Sequence, residues 1–259
     1  WNERRKYEKK SNYLITIILI GGIILCPIIK AANVFALTNL TSHINKNGIE
    51  VSDKEYKFIN DFYGEGFFNN MTKEEYDWIR DLNLENSKVS INRYYEPSTT
   101  ITPYSTVHRT TNKELTIASS CTTICTIVIK AEWITNPGIR SYDLIGARFK
   151  NVSLASSNIQ TKVSSSNGIE YFNNTKVFAN GLGTSVKLPT SASNIKVEQK
   201  FYTTAGGTVF GSYQHAIKNI SLLTSQSYVI DISGIGGVFR LTGDAIGSFD
   251  QMAGVSINA

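Results

Sequence analysis

The stretch IVIKAEW, residues 127–133, is the clearest indication of fold class in this 259-residue chain. Ile127, Ile129 and Trp133 fall on one side of an extended backbone, and Lys130 falls on the other. Successive side chains of a strand point to opposite faces, so this alternation predicts a half-buried antiparallel β-strand. The turn-forming residues NPG at positions 136–138 follow and end the predicted strand.

The rest of the C-terminal region repeats this pattern of short strands and turns. Two further predicted strands, 195–203 and 208–216, flank Ala205-Gly206-Gly207. We expect a hairpin there, because glycine readily adopts the positive φ that a tight primed turn requires. About ten predicted strands in this region favour a mainly β fold built as an antiparallel two-sheet sandwich, of which a jelly roll is one variant.

A small two-helix unit precedes the β region. Residues 51–62 and 71–82 resemble each other at an offset of twenty positions. Each copy begins with a capping box, in which a Ser or Thr is followed three residues later by Glu: Ser52 with Glu55, and Thr72 with Glu75. Apolar residues then recur at the spacing of an amphipathic helix, which predicts two short helices with aromatic side chains packed between them.

The N-terminal segment has the layout of a secretory signal peptide. Five basic residues precede an uncharged apolar run of 16 residues, 14–29, and Val34-Phe35-Ala36 supplies a small-x-small pattern with cleavage after Ala36. The predicted protein is therefore secreted. The alternative is an uncleaved segment that anchors the protein in the membrane, although the run is shorter than the ~20 residues that span a bilayer.

These features predict four parts of the chain. They are a signal peptide at 1–36, a helical unit at 37–95, a Ser/Thr/Pro-rich linker at 96–111 and a β-sandwich domain at 112–259.

The charge distribution argues against a nucleic-acid partner. The formal net charge is +5, but residues 1–36 carry six basic and two acidic residues, so the remainder carries +1. A dedicated nucleic-acid binder concentrates basic residues on one surface. We expect contact with a membrane only through the signal segment.

Cysteine and histidine spacing suggests a disulfide rather than a metal site. Cys121 and Cys125 are expected to form a local disulfide in an exported protein, with free thiols as the alternative. His43, His108 and His215 lie far apart in the sequence and match no metal-binding or catalytic motif. The sequence therefore predicts no metal, no cofactor and no catalytic residue.

A binding face is predicted on strand 195–203. Lys196, Lys200 and Tyr202 alternate with apolar residues and so share one face of the strand. Aromatic rings stack on sugars and lysine meets anions, which suits a carbohydrate or an anionic cell-wall polymer. The simpler interpretation is a solvated sheet face without a ligand.

Function is predicted only as a class. The expected protein is exported and non-enzymatic, and it binds a partner at the cell surface or in the medium through its β-sandwich. One alternative is a β-type pore-forming toxin, because the Ser/Thr-rich alternating stretch 185–214 could line a barrel. The other alternative is a secreted hydrolase with a pair of carboxylates.

Overall fold

A computed structural model describes six ranges of the chain. The ranges are 41–96, 113–220, 228–230, 238–242, 248–250 and 253–259. The predicted signal segment with Ala36, and all of the predicted linker after Glu96, lie outside the described residues, as does His108.

The described chain is mainly β, with antiparallel sheets and a few helices. The strands are β1 (Ser42–Ile44), β2 (Glu50–Ser52), β3 (Lys88–Glu96), β4 (Lys113–Cys121), β5 (Ile124–Trp133), β6 (Tyr142–Lys150), β7 (Gln160–Ser165), β8 (Gly168–Phe172), β9 (Lys176–Phe178), β10 (Gly181–Lys187), β11 (Lys196–Thr204), β12 (Thr208–Gln214), β13 (Tyr228–Ile230), β14 (Phe239–Leu241) and β15 (Ala253–Asn258). A six-stranded sheet has the order β3-β4-β5-β11-β7-β8, and a five-stranded sheet has the order β15-β12-β6-β10-β9. Two separate hairpins pair β1 with β2 and β13 with β14.

The two large sheets share one apolar core. Ile127, Ile129 and Phe201 of the six-stranded sheet lie in the same buried cluster as Ile145 and Val209 of the five-stranded sheet. A second apolar cluster lies around the β13–β14 hairpin and includes Leu144 of β6. The core predicted from strand alternation is therefore present.

Strand β5 forms as predicted, but both of its faces are buried. Ile127 and Ile129 point into the shared core, while Val128 and Lys130 on the opposite side are also buried. The alternation thus separates two buried faces. The expectation of a half-buried strand was wrong because helices cover the second face.

Both predicted helices form, and each begins at its capping box. They are α1 (Asp53–Tyr63) and α3 (Lys73–Arg80), with the four-residue helix α2 (Phe67–Asn70) and a 3-10 turn (Leu84–Asn86) completing the set. The side chains of Ser52 and Thr72 accept hydrogen bonds from the backbone amides of Glu55 and Glu75. The carboxylates of the two glutamates in turn accept hydrogen bonds from the backbone amides of Ser52 and Thr72. Local sequence therefore fixes where each helix begins.

The helices pack on the six-stranded sheet as well as on each other. Phe58, Phe62 and Trp78 lie in one buried cluster with Ala118 of β4 and Val128 of β5. Strand β3, within the predicted helical unit, pairs along its whole length with β4. Residues Leu40–Ala259 form one compact unit. Independent folding of the two predicted domains stays a prediction.

The turn at Gly206 was expected to close a hairpin, but the two strands that it connects do not pair with each other. Strand β11 belongs to the six-stranded sheet and β12 to the five-stranded sheet, so the chain crosses between sheets here. Gly206 has a φ of 100°, as the turn prediction required. Its amide donates to Ala259 O at 2.8 Å, and Ala259 N donates to Gly207 O at 2.9 Å, so Ala259 holds the crossing.

Candidate functional site

A layer of charged side chains lies between the helices and the six-stranded sheet. Lys130, Lys162, Lys200 and Glu198 project from β5, β7 and β11, and all four are buried. A buried ion is costly unless it is paired and hydrogen-bonded. The partners of these groups therefore decide how the helices are held.

Two of the lysines bind the ends of the helices. Lys130 Nζ donates to the carbonyl of Phe62 in the last turn of α1 at 2.6 Å and to Glu132 Oε2 at 2.9 Å. Lys200 Nζ donates to the carbonyl of Trp78 in α3 at 3.3 Å and to Asp81 Oδ2 at 2.8 Å. The last carbonyls of a helix have no partner within the helix, and its dipole favours a cation there. The sheet thus supplies a cation to the C-terminal end of both α1 and α3.

The third lysine pairs with the buried carboxylate. Lys162 Nζ lies 3.2 Å from Glu198 Oε2, and the hydroxyl of Tyr63 donates to Glu198 Oε1 at 2.8 Å. Burial, followed by the negative charge of Glu198, raises the pKa of Tyr63 well above its ordinary value. Tyr63 therefore stays a neutral donor, which connects α1 to β11.

Trp78 lies where the lysines converge. The Nζ atoms of Lys162 and Lys200 lie 4.1 and 4.4 Å from its ring centre, within the range of a cation–π contact. Within the described residues its Nε1 has no hydrogen-bond partner. The ring is almost fully buried, so Trp78 forms the wall of the adjoining cleft rather than an exposed platform.

A cleft of about 510 Å³ opens beside this layer, between α3 and strands β7, β8 and β11. Its lining residues are Lys73, Glu74, Asp77, Trp78, Asp81, Gln160, Tyr171 and Lys200. Tyr171 is 50% exposed and presents the largest accessible ring of the set. The cleft therefore combines an exposed aromatic ring with fixed polar groups.

Hydrogen bonds and ion pairs hold the polar groups of the cleft. The hydroxyl of Tyr171 donates to Glu74 Oε1 at 2.9 Å, and Lys73 Nζ lies 2.6 Å from Asp77 Oδ2. Partial burial, then the bond to Glu74, raises the pKa of Tyr171 to about 12. Burial lowers the pKa of Lys200, although Asp81 opposes the shift.

Carboxylates outnumber amines at the cleft. Glu74, Asp77 and Asp81 are acidic, whereas Lys73 and Lys200 are basic, and each lysine is already paired with a carboxylate. The carboxylates can accept hydrogen bonds from the hydroxyl groups of a ligand, and the ring of Tyr171 can stack on an apolar ring face. It offers no unpaired cation to an anionic ligand.

The three residues of the predicted binding face lie on the side of β11 that the helices cover. Lys200 is buried, whereas Lys196 and Tyr202 are half-buried. Lys196 Nζ lies over the ring of Phe67 at 4.6 Å and 3.7 Å from Glu132. Their role in binding stays a prediction, and of the three only Lys200 lines the cleft.

Tyr171 is the site residue that sequence reasoning missed. It lies in β8, a short strand at the edge of the six-stranded sheet, opposite Lys162 of β7. It stands between Glu170 and Phe172, so no clean polar–apolar alternation distinguished it in the sequence. The contact with Glu74 joins residues 97 positions apart, which no local pattern could indicate.

Cys121 and Cys125 lie at disulfide distance at the β4–β5 turn, in agreement with the predicted pairing. His43 lies 2.7 Å from Asp53, and His215 is buried 3.0 Å from Asp143. Across the described ranges, no group of three or more His, Cys, Asp or Glu side chains is placed to hold a metal ion.

Comparison with known proteins gives no family for this chain. No family model matches the sequence, and no curated protein matches it either. Among the described residues, no helix has the length and apolar character to cross a membrane.

Proposed function

We propose that this is an exported, non-enzymatic protein that binds carbohydrate at the cell surface or in the medium. The signal-like sequence of residues 1–36 supports export. The observation that carries the binding proposal is the cleft beside α3, in which the half-exposed ring of Tyr171 stands among fixed hydrogen-bonding groups. A ring face and oriented polar groups are the usual elements of a small-molecule site.

We further propose that the two large sheets form a sandwich. The shared apolar core and the tight crossing from β11 to β12 support this arrangement. In a sandwich the side chains of the two inner faces interdigitate, which gives a rigid base for the helices. The cleft would then lie on an outer face, where a polymer can reach it.

The charge of the cleft favours an uncharged sugar over an anionic cell-wall polymer. Lys200 is paired with Asp81, and Asp77 pairs with both Lys73 and Arg80, so the cleft and its ion-pair partners carry no net charge. An anionic chain would find no excess of positive charge here that could attract it. Binding of a neutral glycan would change little as the salt concentration rises.

The experiment compares two exposed tyrosines at opposite edges of one sheet. Tyr171 lies in β8 at the cleft, whereas Tyr94 lies in β3 at the far edge and is 41% exposed. With purified neutral cell-wall glycan, we expect Tyr171→Ala to weaken binding by about tenfold, because loss of one stacking contact costs ~1.4 kcal/mol. Tyr94→Ala should leave binding unchanged.

Titration calorimetry at low and high salt completes the test. Binding that weakens steeply with salt would favour the anionic polymer instead. Equal affinity of the wild type and Tyr171→Ala would remove the cleft as the site, and no retention on any cell-wall fraction would remove the proposed function.

A further inference from the structure

A lysine and an aspartate from distant parts of the chain meet in the protein interior. Lys113 begins β4, and Asp250 lies shortly before β15. The Nζ of Lys113 contacts Oδ2 of Asp250, and the two side chains are 1% and 4% exposed. The two residues are 137 positions apart, so the contact joins the start of β4 to the segment that precedes β15.

Aromatic rings surround the amine. Lys113 Nζ lies 5.7 Å from the ring centre of Trp133 and 5.9 Å from that of Tyr213. Trp133 Nε1 donates to the Tyr213 hydroxyl at 3.1 Å, which fixes both rings. These surroundings exclude water, so the charged forms of Lys113 and Asp250 are poorly solvated.

Burial also favours the neutral form of the acid. It raises the pKa of Asp250, although the charge of Lys113 opposes the shift. Transfer of a proton from the ammonium to the carboxylate gives an amine and a carboxylic acid in direct contact. A neutral amine carries the lone pair that a nucleophile needs.

The second carboxyl oxygen is held by the backbone. His215 N donates to Asp250 Oδ1 at 2.9 Å, and Asp250 N donates to His215 O at 2.8 Å. The first bond places a fixed N–H donor where negative charge would develop during attack on the carboxyl carbon. The second bond holds the backbone of Asp250 in register, so the carboxyl group keeps its orientation.

We propose that Lys113 and Asp250 become joined by an amide bond within the folded chain. Nζ of Lys113 attacks Cγ of Asp250, the Cγ–Oδ2 bond breaks, and two protons from the ammonium leave with Oδ2 as one water molecule. The charges of the pair cancel, and no oxidant, reductant or cofactor is consumed. Two groups held in contact react with an effective molarity of roughly 10⁵ M or more when their geometry is favourable.

The bond would connect the two large sheets covalently. β4 belongs to the six-stranded sheet, and β15 belongs to the five-stranded sheet. A cross-link that closes a long loop restricts the unfolded chain, as a disulfide does. Unlike the Cys121–Cys125 pair, it would be insensitive to reduction.

Peptide mapping of the reduced, denatured wild-type chain tests the proposal. Trypsin does not cleave after an acylated lysine, so residues 110–130 should remain uncut at Lys113 and stay attached to residues 241–259. The expected species has the summed mass of the two peptides less one water. Recovery of residues 114–130 and 241–259 as separate peptides of full mass would overturn the proposal.

Two variants assign the bond to its residues. Lys113→Arg keeps the positive charge but removes the amine, and it should restore the full mass and lower the melting temperature. Lys162→Arg, in the buried pair with Glu198, is the matched control and should keep the linked peptide. A mass lower by one water in Lys113→Arg would contradict the assignment of the bond to Lys113. If this variant fails to fold, the wild-type peptide map alone shows whether the bond is present.

Discussion

The central strands of the six-stranded sheet are buried on both faces, but the two faces are buried by different interactions. The inner face carries apolar side chains such as Ile127, Ile129 and Phe201, which pack against the second sheet. The outer face carries Lys130, Lys200 and their partners, which bind helix ends and carboxylates. Apolar burial stabilises the first face without directional contacts, whereas the second depends on every charged group keeping its partner.

A strand face that carries charged residues need not be exposed to solvent. An alternating lysine on a strand is usually solvated, and burial of its ammonium requires a partner. Here the carbonyls at the ends of α1 and α3 are such partners. The lysines of the strands gain hydrogen-bond acceptors, and the helix ends gain donors.

Removal of the helices and β3 should have the largest effect. A fragment of residues 104–259 lacks the nine-residue partner strand of β4 and exposes the buried lysines of the outer face. We expect it to lose cooperative thermal unfolding, measured by circular dichroism, because an unpaired strand and the uncovered apolar side chains of Ala118 and Val128 remain. A cooperative melt close to that of the intact protein would instead show that the β region folds alone, as the sequence-based division of domains expects.

Truncation of the inner face should come next. Phe201 is fully buried in the core shared by the sheets. We expect Phe201→Ala to lower the free energy of unfolding by about 3–5 kcal/mol in urea denaturation, through lost burial and the cavity left behind. Phe201→Leu keeps most of the apolar volume and should cost clearly less. Equal losses for the two variants would mean that volume does not control this face.

The outer face should respond to loss of one partner more than to loss of both. Lys162→Met leaves Glu198 buried without its cation, and we expect a loss of about 3 kcal/mol. Adding Glu198→Gln removes the orphaned charge and should recover part of that loss. The control is Lys187→Met at an exposed position, which should change the free energy of unfolding by less than ~0.5 kcal/mol. If the double variant is less stable than Lys162→Met, the pair is not the source of the effect.

Local signals in the sequence were sufficient to predict where helices begin and where turns lie, but not which strands pair with each other. The capping boxes at Ser52 and Thr72 were predicted correctly because all of their atoms lie within four residues. Gly206 takes the positive φ that was expected, yet the same turn geometry serves a crossing between sheets. The choice between a hairpin and a crossing depends on bonds to Ala259, far along the chain.

The candidate site was only partly predictable for the same reason. The alternation that grouped Lys196, Lys200 and Tyr202 on one face of β11 was correct about the face. It could not show that α3 covers that face, because helix docking is set by contacts such as Lys200 with Asp81, 119 positions apart. Tyr171 and Glu74 likewise meet only through the tertiary fold.

The smallest effect should appear in the titration of the cleft. Tyr171 has a pKa raised to about 12, first by partial burial and then by its bond to the Glu74 carboxylate. Because the folded state holds this proton more tightly than the unfolded chain, the contribution of Tyr171 to stability is present below about pH 10 and declines as the pH rises towards 12. The ultraviolet difference spectrum between wild type and Tyr171→Phe isolates this one phenol from the other tyrosines. We expect Glu74→Gln to lower the pKa of Tyr171 while leaving it above its ordinary value, since burial remains and only the carboxylate charge is lost. An unchanged pKa of Tyr171 in Glu74→Gln would mean that the hydrogen bond between Tyr171 and Glu74 does not hold the ring at the cleft. The proposed binding site would then lack the contact that orients its exposed ring.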